Sequence, residues 1–96
     1  MRIRYTSTAL SEIDEIFSYL AERSFSGAVA VRERVERSIG GLALVPEMAQ
    51  LTDEPGVRRL PVRSYPYVIF YAIEGEEVVI LHVRHGARQS PWQSSR

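Results

Sequence analysis

The hydrophobic period of this chain changes at Pro46, and that change narrows the fold class. Before it, Leu10, Ile13, Phe17 and Leu20, and then Ala28, Val31, Val35, Ile39 and Leu42, recur at spacings of three and four. That is the stripe of an amphipathic helix. After it, runs rich in β-branched and aromatic residues follow one another across turn signals. Helices gathered in one half and strands in the other point to an α+β domain.

The details follow from local chemistry. Arg2 to Tyr5 alternates as a short strand, and Thr6, Ser7 and Thr8 offer N-cap hydroxyls to the first helix. Glu12, Asp14 and Glu15 fall near its first turns, where the helix dipole favours carboxylates. Ser24-Phe25-Ser26-Gly27 breaks the stripe, with Ser26 as the expected second N-cap. The second helix should reach Leu44, with Pro46 as its limit. Two antiparallel helices joined by a short turn result. Met48–Gly56 has no period and ends in the turn signal Asp53-Glu54-Pro55-Gly56. Val57–Val62, Tyr65–Ile73 and Glu76–His85 then read as strands of an antiparallel meander. Glu74-Gly75 is the expected hairpin loop. The tail after Gly86 is polar.

Ninety-six residues suit a single domain, and 45% apolar with 25% charged residues excludes a disordered chain. With no cysteine, disulfides and thiolate metal sites are ruled out. The two histidines are too few for a metal site, no cofactor motif is present, and none of either is expected. No apolar run resembles a signal peptide or a membrane span, so the expected location is the cytoplasm. The net charge of zero is unevenly spread. Residues 1–54 hold six arginines against nine carboxylates, and residues 55–96 hold six against three. Every basic residue is arginine, the better cation for forked contacts to phosphate or carboxylate. The second half is therefore where a partner surface is expected.

A hairpin closed on Glu74-Gly75 pairs Tyr71 with Val78, Ile69 with Ile80, Tyr67 with His82 and Tyr65 with Arg84. Strict alternation then divides the residues between two faces. Val68, Phe70, Val79, Leu81 and Val83 form an apolar face expected to pack on the helices. Arg59, Arg63, Tyr65, Tyr67, His82 and Arg84 form a polar face, with Ile69, Tyr71 and Ile80 nearer the turn. Such a face fits phosphate binding, base stacking and proton transfer. It fits equally a solvated sheet surface, or a groove for an incoming peptide. His85, in Arg84-His85-Gly86-Ala87-Arg88, is either a proton carrier or a structural group.

The order of these segments resembles the RelE/ParE superfamily of toxins. The resemblance is carried by Tyr5-Thr6, Ala9 and Ile13-Asp14-Glu15-Ile16, Pro46-Glu47, Arg59-Leu60-Pro61-Val62, Tyr65–Tyr71 and Val79–Arg88. It covers nearly the whole chain, and its force lies in order and spacing rather than in any single motif. It implies a toxin neutralised by a cognate antitoxin, with Ile69, Tyr71 and Ile80 as the candidate antitoxin groove. ParE-like members poison DNA gyrase, whereas RelE-like members cut mRNA in the ribosomal A site; a non-toxic, degenerate binding domain is the remaining alternative. In the second case His82, His85, Arg63 and Arg84 are the candidate catalytic residues. Arg59, Arg63, Tyr65, Tyr67, Arg84 and Arg88 are the candidate target- or phosphate-binding residues in either case. The Pro-Tyr-Val-Ile-Phe-Tyr and His-Gly-Ala-Arg segments read more like the ParE side. A neutral chain without lysine is also a poor fit to ribosome binding, where basic surface supplies much of the affinity.

Overall fold

The computed structural model describes residues 1–87 and Trp92. Strand β1 (Arg2–Tyr5) leads into helices α1 (Ser7–Ala21) and α2 (Phe25–Leu44). Strands β2 (Gln50–Leu51), β3 (Val57–Pro61), β4 (Tyr67–Glu74) and β5 (Glu77–His85) follow. They form a five-stranded sheet in the order β1-β5-β4-β3-β2, with β1 parallel to β5 and the other pairs antiparallel. The α+β reading, with a helical hairpin on a mainly antiparallel sheet, holds.

Thr6 starts α1: its side-chain oxygen accepts the Ala9 N–H at 3.0 Å, as an N-cap should. Ser24, rather than Ser26, starts α2 by accepting from Gly27 N–H at 3.1 Å. The α2 stripe is buried as expected, at Ala28, Val31, Val35, Ile39 and Leu42. In α1 the frame is rotated. Leu10 is exposed, Ala9 is fully buried, and Ile13, Ile16 and Leu20 face the core. Two-residue β2, an edge strand, had no period to announce it.

The β4–β5 hairpin closes on Gly75-Glu76, with Glu74 opposite Glu77. This shifts the expected register by two, which leaves the faces unchanged near the turn. The larger correction lies further along. Tyr71 pairs with Ile80 but Phe70 pairs with His82, so Leu81 is an extra residue, a β-bulge. Val78 and Ile80 before the bulge, and Val83 after it, all point at the helices.

The expected core face is therefore inverted. The side under the helices is built from Leu60, Val62, Tyr67, Ile69, Tyr71, Val78, Ile80 and Val83, together with Ile3 from β1. Val57, Val68 and Phe70 form a smaller cluster on the outer face, with Leu81 and Trp92 against it. Two facts make the inversion possible. The bulge spares His82 and Arg84 from following Ile80 inward. Tyr71, though fully buried, donates its hydroxyl to Pro46 O at 2.7 Å, so its polar end costs little to bury.

Candidate functional site

Cross-strand pairing sets rows of side chains on the outer face. One row is Arg59 on β3, Phe70 on β4 and His82 on β5; the next is Pro61, Val68 and Arg84. Trp92 meets Phe70 edge-on, with ring centroids 5.1 Å apart. Arg59, His82 and Arg84 thus share a surface, as expected. Exposed Arg63 lies beyond the end of β3, next to Ser64, whose φ is 72°. Arg88 lies outside the described residues.

His82 and Arg84 are not free on that surface. Where β1 ends, the outer edge of β5 would be left unpaired, and α1 closes it. Thr6 Oγ1 donates to the bulged Leu81 carbonyl at 3.2 Å. Two positions on, the Glu12 carboxylate accepts Val83 N–H and Arg84 Nε, each at 3.0 Å. His82 Nδ1 lies 3.3 Å from both of its oxygens. The Glu12 side chain is only 14% exposed, so these charge-assisted contacts are sheltered from water. Sequence reasoning gave Glu12 to the helix dipole, but no acidic residue lies in the first turn of α1. The available signal was its spacing. At three after Ala9 and four before Ile16, Glu12 borders the buried stripe, where a charge demands a partner.

The tyrosines belong to the other side. Tyr67 is buried, and Tyr65 packs on the helix-side core. Burial, and then neighbouring Tyr19, push the Tyr67 phenol above its ordinary range. Ile69, Tyr71 and Ile80 are fully buried beneath the helices, so they cannot line an open antitoxin groove. The reason is the inversion of faces already described. His85 is exposed at the end of β5, edge-on to Tyr67, with its Nδ1 accepting the Ala87 N–H at 3.1 Å. Arg58, which the sequence did not single out, is structural. Its guanidinium donates to Ala49 O at 2.7 Å and Glu47 O at 3.3 Å, fastening the loop after α2.

No cluster of metal-ligating side chains occurs among the described residues. The expected catalytic set is thus dispersed. Exposed Arg63 lies beyond the end of β3, His82 and Arg84 are held at the edge by Glu12, and His85 lies against Tyr67.

Residues 3–90 match the family described as the ParE toxin of the type II toxin–antitoxin system, parDE. The chain belongs to this family. A relative from Sinorhizobium fredii (strain NBRC 101917 / NGR234), named "Putative toxin Y4kP", is 33% identical over 90 residues, covering 94% of this chain and 93% of that one. Among solved structures, the chromosomal ParDE system from P. aeruginosa superposes with a TM-score of 0.78 at 20% identity, over 88% of this chain and 95% of the other. The isolated E. coli RelE toxin gives 0.68 at 20% identity, covering 92% and 86%. The RelE/ParE fold is therefore shared at low identity, and this ParE-family toxin arranges its side chains on that frame.

Proposed function

We propose that this ParE-family toxin is held inactive by a cognate antitoxin in the cytoplasm and acts on DNA gyrase as a binding poison, without catalysing a reaction. The observation that carries the reading is the Glu12 carboxylate. Cleavage of RNA through attack by its own 2′-hydroxyl needs a cation on the phosphate and a group to move the proton. The two residues best placed for those tasks, Arg84 and His82, both face Glu12 at 3.0 and 3.3 Å. A surface used for binding needs no such free pair. The antitoxin follows from family membership and from the likeness to the E. coli RelBE toxin–antitoxin complex, with a TM-score of 0.69 at 20% identity. No helix among the described residues is long and apolar enough to cross a membrane.

The test is purified protein with gyrase and supercoiled plasmid DNA. A trapped cleavage complex or lost supercoiling is expected, and the absence of both defeats the proposal. A second reading, a ribosome-dependent mRNA endoribonuclease, draws on the Arg59–Phe70–His82 row. Primer extension on mRNA from induced cells separates the two. Codon-positioned cuts favour the nuclease, and intact transcripts during growth arrest dismiss it.

A further inference from the structure

Trp92 is the only tryptophan in the chain. It sits on the outer face of the sheet, packed with Leu81 against the buried side chains of Val57, Val68 and Phe70. Its edge-on partner, Phe70, is the middle of the row that runs from Arg59 to His82. This cluster is separate from the main core, which lies under the helices on the opposite side of the sheet.

The seat is incomplete in two ways. The indole Nε1 is buried yet has no hydrogen-bond partner, alone among the buried side-chain nitrogens and oxygens of the described residues. Buried polar groups are normally paired, and an unpaired one loses its bond to water for nothing in return. The ring is also held from one side. Beside it opens a cleft of about 320 Å³, whose far walls are Thr6, Thr8, Glu54 and His82. Two terms therefore oppose each other. Apolar burial holds the indole down, whereas the N–H gains a partner only when water reaches it.

From these features we infer that Trp92 is a releasable cap on the outer face. The chain exchanges between a closed form, with the indole over Phe70, and an open form in which that apolar cluster is bare. Lifting the cap uncovers Phe70 between Arg59 and His82 and leaves the main core covered by the helices. Anything that binds this face meets it only in the open fraction, so its apparent affinity is reduced by that fraction. The cap belongs to the isolated chain, so the inference rests on neither reading of the target.

Fluorescence of the full chain reads the cap directly, because no other indole contributes. In urea too dilute to change the far-ultraviolet circular dichroism, emission should move to the red and acrylamide quenching should rise. That is the signature of local opening ahead of global unfolding. Emission and ellipticity changing together would make Trp92 inseparable from the fold and overturn the inference. An indole as red and as quenchable in buffer as N-acetyltryptophanamide would overturn it too, since nothing would then be capped. The N–H is tested with the apolar dye 1-anilinonaphthalene-8-sulfonate, excited outside the indole band. Trp92→Ala should bind the dye most tightly. Trp92→Phe keeps an apolar ring on Phe70 but removes the unpartnered N–H, so it should bind about tenfold more weakly than the native chain, the scale of one unsatisfied buried group. Equal affinities, or the reverse order, would defeat the assignment. Should Trp92→Ala lose its fold, the fluorescence and the comparison of Trp92→Phe with the native chain still decide.

Discussion

Glu12 shows how much one carboxylate can settle. It closes the strand edge that β1 leaves open, and it engages the two side chains that most invite a catalytic reading. Glu12→Ala should lower unfolding free energy by about 2 kcal/mol, since Val83 N–H loses its acceptor and Arg84 its counterion. Glu12→Gln keeps an acceptor for Val83 and should cost about half as much. Urea denaturation of the three proteins checks this, and equal midpoints would contradict it. If the endoribonuclease reading were right, releasing His82 and Arg84 in Glu12→Gln should increase RNA cleavage. The gyrase reading expects no cleavage from either protein.

At the level of elements, the sequence was most legible where one rule acted alone. The α2 stripe and its end at Leu44 follow from spacing and from Pro46. Sheet faces were harder, because alternation carries an assignment along a strand only while no residue is inserted. Leu81 is such an insertion. It separates the parity of Val78 and Ile80 from that of His82 and Arg84, so the expected grouping of the tyrosines with His82 and Arg84 dissolves. In Val-Val-Ile-Leu-His-Val nothing marks the bulge, because every residue there suits a strand. The polar face was thus found in part: Arg59, His82 and Arg84 share it, while Tyr65 and Tyr67 went to the core. Two glycines give opposed tests of the elements themselves. Gly75 has φ +62°, and an added Cβ would meet nothing within 4 Å. Gly75→Ala should therefore cost about 1 kcal/mol from backbone conformation alone. Gly40 sits within α2, with equally open space around it. Gly40→Ala should stabilise by about 0.5 to 1 kcal/mol. Thermal melts read both, and shifts of the same sign would contradict the argument.

For the whole molecule, the core is unusual in carrying phenols at depth. Burial holds Tyr5, Tyr67 and Tyr71 above the usual tyrosine pKa of about 10. Glu36 adds to the effect at Tyr5, and Tyr19 at Tyr67. The folded state therefore binds these protons more tightly than the unfolded chain. Their contribution to stability is full below about pH 10 and is lost as pH rises through the raised folded values. Urea midpoints measured from about pH 8 to about pH 11 should fall only near the top of that range, in step with tyrosinate absorbance. A flat profile would refute the linkage.

The neighbouring of β1 and β5 also governs timing. The earliest strand can pair only with the latest, Arg2 with Glu77 and Tyr5 with Ile80. Bringing such distant segments together carries a loop-closure cost that local helices avoid. A nascent chain on the ribosome can form the helical hairpin early, but β1 must wait until β5 has been made. The sheet therefore closes only once β5 is available, whereas the helical hairpin does not depend on it.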